Sequence, residues 1–239
     1  MKKIVVAGML SIAVSLFADV NLNDEKTCDK IALFGLQNTL SKVDKAAAGR
    51  WYLLQGQQSK YRDVKNDEFE LDGAIEEAYS TFEKTVQDSE NYVGQTGVLR
   101  LGSSFKKYDF KKQSFPISLM EPSSYIEFAG DVFAGWRNSI VLTFDNINPK
   151  NTHLPMVKAD AKAFMKSRKH KNGRVNRNLT AKYTYTIKKV STPTKNIASC
   201  EENFYNCDDL SKVSVVGHIT KLEILDKDEK VLHTYSDYK

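Results

Sequence analysis

The chain has 239 residues, of which 41% are hydrophobic and 10% aromatic, and its formal net charge is +5. This length is enough for one large domain or two small ones with a real core, and 12 glycines and 5 prolines are too few to favour a disordered chain. A net charge this small selects no class of partner by itself.

The first 18 residues have the layout of a secretory signal peptide. Lys2 and Lys3 form a basic start, residues 4–18 carry no charge, and the small residue Ala18 precedes Asp19. We predict cleavage after Ala18, export to the periplasm, and a mature chain of residues 19–239 with no membrane span and a net charge of +3, since 5 − 2 = 3 without the two lysines. The alternative is an uncleaved N-terminal anchor, although a spanning helix needs about 20 apolar residues.

Helical periodicity marks about residues 29–88. Leu33, Leu36, Leu40 and Val43 recur at three- and four-residue spacing, which predicts a helix that begins near Asp29 and is interrupted or ended by Gly49. A second apolar cluster follows at residues 51–54. The strongest helix prediction covers about residues 70–87, where one face is apolar and the other is acidic. That apolar face consists of Leu71, Ile75, Ala78, Tyr79, Phe82 and Val86.

Strand patterns dominate from about residue 92 to the end. We expect two or three strands before residue 120, with turns at residues 102–104 and near Glu121, and then strands at residues 138–144 and 181–188. A hairpin joins residues 213–225 to residues 230–235. One helix interrupts the strands and turns Val157, Ala161, Phe164 and Met165 inward. The prediction is a single α+β domain, with N-terminal helices followed by a mostly antiparallel sheet or sandwich with one inserted helix.

The three cysteines are Cys28, Cys200 and Cys207. Six polar, turn-like residues separate the last two, so we predict a disulfide that restricts the unfolded chain by about 2–3 kcal/mol. Cys28 is then free or bonded to a partner molecule. Pairing of Cys28 with one of the other two cysteines and three reduced thiols are the remaining alternatives. The C-x6-C spacing does not fit a zinc site.

Three segments resemble a known family. They are residues 66–71 (NDEFEL), residues 108–117 (YDFKKQSFPI) and residues 161–168 (AKAFMKSR). Together they resemble a family of exported bacterial proteins of about this length that is classed as a domain of unknown function. The resemblance implies export and a shared fold, and it implies no activity and no catalytic residues.

A basic segment at residues 158–182 is the strongest candidate site. It contains nine lysines and arginines, and Asp160 is its one acid. Such a cluster suits phosphates or acidic glycans, whereas nucleic acid is not expected for an exported protein. A solvated helix face followed by a mobile loop explains the same pattern. The predicted ligand-binding residues are Lys166, Arg168, Lys169, Lys171, Arg174 and Arg177.

Other chemistry has weaker support. His218 and His233 face each other if their strands pair, but a metal site lacks a third ligand, so we predict no metal and no cofactor. Asp226, Asp228 and Glu229 fit a hairpin turn better than a calcium loop, and Asp67 and Glu68 fit a helix start.

The predicted function is therefore binding or assembly by an exported protein of the cell envelope. Its partner is an acidic envelope component or a protein. The sequence contains no nucleophile-elbow motif and no phosphate-binding-loop motif. Their absence makes an enzyme less expected but does not exclude one. An envelope hydrolase with a site not visible in the sequence is the alternative, and a subunit that pairs through Cys28 is a third hypothesis.

Overall fold

The structure is a computed structural model that describes residues 20–133, 136–150, 152–191, 199–204, 207–208, 213–235 and 238. The predicted signal peptide therefore lies outside the described residues. None of the described helices is long and apolar enough to cross a membrane.

Four α-helices form the N-terminal part. They are α1 (Glu25–Leu36), α2 (Lys45–Gly56), α3 (Gln58–Val64) and α4 (Glu68–Gln87), and a 3-10 turn (Leu40–Lys42) lies between α1 and α2. Asp24, Asp44 and Asp67 cap α1, α2 and α4 by accepting hydrogen bonds from backbone N–H groups in the first turn. The prediction of one helix from Asp29 to Gly49 is therefore wrong, because the chain leaves α1 at Leu36 and a new cap starts α2.

The predicted amphipathic helix is confirmed as α4. Ala74, Ala78, Tyr79, Phe82 and Val86 are buried along it, while Leu71 and Ile75 pack at the edge of the same cluster. The rings of Trp51 and Tyr52 on α2 lie 5.8 Å and 5.6 Å from the Phe82 ring, so aromatic packing joins the two helices. The carboxylates Asp67 and Glu68 belong to the start of α4, as predicted.

Ten strands and one further helix follow in the part of the chain that the structure describes. The strands are β1 (Thr96–Ser104), β2 (Ser114–Pro116), β3 (Ile126–Phe133), β4 (Trp136–Phe144), β5 (His153–Pro155), β6 (Asn178–Ser191), β7 (Ser199–Cys200), β8 (Cys207–Asp208), β9 (Val213–Leu225) and β10 (Val231–Tyr235). The inserted helix is α5 (Lys158–Ser167). The order of the main sheet is β1-β6-β9-β4-β3, with β10 also paired to β9. All of these pairs are antiparallel except β4 with β9, so the predicted α+β class is confirmed.

The strand predictions succeed where side chains alternate. Strand β6 buries every second residue from Leu179 to Ile187, and β9 and β10 form the predicted hairpin. At its turn, the Asp226 carboxylate accepts from the N–H groups of Asp228 and Lys230. The turn expected at residues 102–104 is wrong, because these residues continue β1 in register with β6.

Buried side chains form two clusters, a sheet core and a helical core. The sheet core includes Ile31 of α1 and Tyr183, Tyr185 and Leu222 of the central strands, whereas the helical core is centred on Trp51. Helix α1 contributes to both, because Leu36 belongs to the helical core. The β7–β8 hairpin also packs on the helices, where Arg50 Nε donates to the Cys200 carbonyl oxygen at 3.0 Å.

We predict that Gly49→Ala lowers the free energy of unfolding by about 1–3 kcal/mol. A methyl group at this buried glycine would stand 2.9 Å from Ile75 Cγ2 on α4, and closer still to the Ile75 carbonyl oxygen. Urea unfolding measures the change. Gly73→Ala is the matched control, since the added methyl would meet no atom within 4 Å apart from its chain neighbours and the nearby backbone of α4 itself, and it should raise stability by about 0.5–1 kcal/mol. Equal effects of the two substitutions would contradict the packing described for α2 and α4.

Candidate functional site: a basic helix and loop beside an apolar groove

The predicted basic segment folds as α5 followed by residues 168–178, which we call the basic loop. Lys166, Lys169, Lys171 and Arg174 are exposed to solvent, which is compatible with a binding surface and equally with a solvated helix face and loop. Arg168 and Arg177 differ, since Arg168 is only 5% exposed and Arg177 is half-buried. The six predicted residues therefore separate into four surface cations and two arginines that contact the protein itself.

Arg168 contacts two adjacent aromatic rings and two backbone carbonyls, and the ring centres are 5.3 Å from each other. Its guanidinium carbon is 4.9 Å from the Phe164 ring centre and 5.7 Å from that of Phe105. Nε donates to the Asn176 carbonyl oxygen at 2.9 Å, and Nη2 donates to that of Asn178. Burial lowers the pKa of Arg168, although the carboxylates Asp226 and Asp228 partly compensate its charge. These contacts make Arg168 a structural anchor for the basic loop.

Arg177 is the second anchor of the loop. Its Nη1 donates to the Lys106 carbonyl oxygen at 2.8 Å, and its guanidinium carbon lies 5.1 Å from the Phe105 ring centre. The backbones of the same two segments are also hydrogen-bonded, since the Phe105 N–H donates to the Arg177 carbonyl oxygen. Arg177 therefore ties the basic loop to the chain that leaves β1.

The basic loop is closed by its own hydrogen bonds. His170 N–H donates to the Arg174 carbonyl at 2.7 Å, and Asn176 N–H donates to the Arg168 carbonyl at 2.9 Å. Gly173 has a φ of 83° at the tip, a conformation that glycine adopts without steric cost. His170, Lys171, Asn172 and Arg174 line an open recess there. The loop thus presents its cations from a defined turn.

An apolar groove lies along α5. Its walls are formed by an aromatic segment before and within β2 and by one face of the helix, and its volume is about 350 Å³. Its lining is almost wholly apolar, so the two lysines contribute the carbon stems of their side chains. We call it the aromatic–lysine groove, and its lining residues are Tyr108, Phe110, Phe115, Lys158, Ala161, Lys162 and Met165.

Hydrogen bonds and ring contacts hold the aromatic wall of this groove in place. Tyr108 Oη donates to the Met156 carbonyl oxygen at 2.8 Å, and the Tyr108 ring packs edge-on against Phe110 and Phe115 at 5.0 Å from each. Asp109 accepts from the backbone N–H groups of Lys111 and Lys112, which fixes the turn after Phe110. Phe110 nevertheless remains 70% exposed. The groove is not visible in the sequence, because its two walls are about 50 residues apart. The one local signal is the density of aromatic residues at 108–115.

The histidines do not form the pair considered from the sequence. His233 lies opposite Ile224 across β9 and β10, whereas His218 pairs with Asp145, with 2.7 Å between Nδ1 and Oδ1. His218 Nε2 lies 3.3 Å from the Asn146 side-chain amide nitrogen. Within the part of the chain that the structure describes, no three His, Cys, Asp or Glu residues are grouped so that they could hold a metal ion.

The cysteines follow one of the predicted arrangements. Cys200 and Cys207 are at disulfide distance, with 4.1 Å between their Cα atoms, and they pair β7 with β8. Cys28 is fully buried in α1, and its Sγ donates to the Leu22 carbonyl oxygen at 3.1 Å. Burial raises the pKa of the Cys28 thiol to about 12, so it stays protonated at neutral pH. Pairing with a partner molecule through Cys28 would require α1 to leave the sheet.

Comparison with models of protein families gives one assignment. Residues 44–167 match the family described as "Domain of unknown function (DUF4852)". The chain belongs to this family. A comparison with curated proteins finds no match, and neither does a comparison with solved structures.

The DUF4852 match can be placed on the fold. It begins at Asp44, the cap of α2, and ends at Ser167, the last residue of α5. All seven lining residues of the aromatic–lysine groove lie within it. The basic loop begins one residue after the DUF4852 match ends, so Arg168 and the cations at the loop tip lie outside it.

Proposed function

We propose that this member of the DUF4852 family is an exported protein of the cell envelope that binds an acidic partner through α5 and the basic loop. The observation that supports the proposal best is that the six predicted cations fall into two groups, one that holds the loop and one that is exposed on it. Arg168 and Arg177 hold the loop, and Lys166, Lys169, Lys171 and Arg174 stand exposed on it and on the preceding turn of α5. The partner is an acidic glycan, a phosphate-bearing envelope component or an acidic protein.

Preorganisation is the physical reason to expect binding at this surface. A flexible basic loop must lose conformational entropy when it closes on an anion, which weakens its affinity. In this loop the backbone is already closed between His170 and Arg174, so less ordering remains to be done. Arginine and lysine side chains then supply charge-assisted hydrogen bonds to phosphate, sulfate or carboxylate oxygens.

Binding has better support than hydrolysis. A hydrolase needs a nucleophile or an activated water within reach of a general base. Among the described residues, two histidines come near such an arrangement. The second ring nitrogen of His218, which pairs with Asp145, faces the Asn146 amide rather than a hydroxyl group. His153 Nδ1 lies 2.8 Å from the Thr152 hydroxyl, but its Nε2 lies 3.2 Å from Lys112 Nζ, a cation, rather than beside a carboxylate that would orient it as a base. Cys28 is buried and protonated, which disfavours it as a nucleophile.

We predict that replacing Lys166, Lys169, Lys171 and Arg174 by Ser weakens binding to heparin, a sulfated glycan, by on the order of 100-fold at low ionic strength. Each lost cation removes one contact to a sulfate group and none of the contacts that fold the loop. Affinity chromatography with a salt gradient and titration calorimetry measure the loss.

The matched control removes the same charge elsewhere. Lys26, Lys30, Lys42 and Lys65 are exposed lysines of the helical part, and their replacement by Ser should change the affinity by less than about tenfold. An equal loss in both variants would mean that heparin senses only net charge, and the proposed site would be wrong.

Export has a separate test. The Cys200–Cys207 pair is at disulfide distance, and disulfides persist in oxidising compartments, which supports export only weakly by itself. We predict that the protein recovered from a bacterial periplasm has the intact mass of residues 19–239 less two hydrogens. Recovery of the uncleaved chain from the cytoplasm, with three reduced thiols, would contradict the proposal.

A further inference from the structure

One phenylalanine is almost completely exposed on a rigid helix. Phe69 lies in the first turn of α4, and 92% of its surface is accessible to solvent. Its backbone N–H and that of Glu70 donate to the Asp67 carboxylate, so the turn that carries the ring is fixed. An exposed aromatic side chain on a fixed turn is a suitable anchor for insertion into a partner's pocket. Because it is so exposed, Phe69 does not occupy the groove of its own chain.

The surroundings of Phe69 are strongly acidic. Between residues 66 and 72 there are four carboxylates and no lysine or arginine. These carboxylates are Asp67, Glu68, Glu70 and Asp72. The exposed ring is therefore an apolar group with a negatively charged border.

The aromatic–lysine groove has the complementary character. Its lining is apolar, and its aromatic rings can pack edge-on against an inserted ring at 4.5–7 Å, the usual range for aromatic pairs. The two segments that form its walls, residues 106–112 and 158–162, carry six lysines and two aspartates. The lysines are Lys106, Lys107, Lys111, Lys112, Lys158 and Lys162. The groove is therefore an apolar site with a positively charged border.

We propose that Phe69 of one copy of this chain inserts into the aromatic–lysine groove of a second copy, with the acidic border of Phe69 facing the lysines. The volume of about 350 Å³ lies at the lower end of the range for ligand pockets and is large enough for one phenyl ring. Both halves of the contact, Phe69 and the groove, lie within the DUF4852 match.

The contact joins two different surfaces, so it is head-to-tail. After two copies pair, one of them keeps an unused groove and the other keeps an unused Phe69, so association continues into a ring or an open chain. A single aromatic anchor with exposed ion pairs gives a weak contact, with a Kd on the order of 100 μM. The proposal is independent of the acidic partner proposed above, because it uses the groove and its lysines rather than the tip of the basic loop.

Sedimentation velocity of the intact protein tests the proposal between about 10 μM and about 1 mM, a range that brackets the expected Kd. The wild-type protein should shift to larger species as its concentration rises. Phe69→Ala and Phe110→Asp should each weaken this association by about tenfold or more, the first by removing the inserted ring and the second by placing a carboxylate in the groove wall. Tyr125→Ala is the matched control, since Tyr125 is an exposed aromatic residue outside both surfaces, at 63% exposure, and it should associate like the wild type.

Mixing the two variants gives the decisive result. The Phe69→Ala protein keeps an intact groove, and the Phe110→Asp protein keeps an intact Phe69, so an equimolar mixture should form dimers that grow no further. This complementation also shows that both variants are folded. Substitution of both Glu68 and Glu70 by Lys should abolish association, because it places like charges opposite the lysines.

Three results would overturn the proposal. The first is a wild-type protein that stays monomeric up to about 1 mM. This result would count against the proposal even if the groove bound some other molecule. The second is a Phe69→Ala or Phe110→Asp variant that associates as strongly as the wild type, which would locate the interface elsewhere. The third is a mixture of the two variants in which no dimer forms. Loss of heparin binding in the basic-loop variant leaves all three results unaffected, so the two proposals fail separately.

Discussion

A buried guanidinium determines how the candidate binding surface is arranged. Arg168 stays charged at physiological pH, and burying that charge costs several kcal/mol unless it is compensated. Carbonyl oxygens of Asn176 and Asn178 and the rings of Phe105 and Phe164 supply compensation, and they come from the basic loop, the start of β6, the residue that follows β1, and α5. The carboxylates of Asp226 and Asp228 add to it. Displacing any one of them leaves the charge unsatisfied. The four segments therefore stay in one arrangement relative to each other. The exposed lysines on either side of Arg168 consequently keep their positions as well.

Helices and strands that bury one face were predictable from the sequence. The role of a residue that depends on contact with a distant segment was not. Helix α4 and strand β6 bury residues at periods of about 3.6 and 2, so their patterns identify them without tertiary information. Gly49 does not end a helix, because its missing side chain makes room for the Ile75 backbone of α4. The glycine at residue 102 does not make a turn either, because pairing with β6 continues past it. In both cases, a distant segment decides what the glycine does.

The candidate site, too, was predictable from the sequence only in part. Composition identified the basic segment, because nine cations in 25 residues stand out in any sequence. It did not show that Arg168 and Arg177 point into the protein, because their partners are backbone carbonyls and rings that only the folded chain brings near. The aromatic–lysine groove was missed for the same reason. Its walls meet because β2 pairs with β5 immediately before α5, a register that no local pattern encodes.

The most direct test of this account is hydrogen exchange of the basic loop in Arg168→Lys. Lysine keeps the charge, but it lacks the planar fork of donors with which Arg168 reaches two carbonyl oxygens while contacting the Phe105 and Phe164 rings. The account predicts that the amides of His170, Gly173 and Asn176 exchange about tenfold faster or more, while β6 and β9 amides keep their protection. Arg174→Lys, at an exposed position of the same loop, should leave exchange unchanged. Unchanged protection of the loop amides in Arg168→Lys would contradict the claim that this arginine fixes the surface.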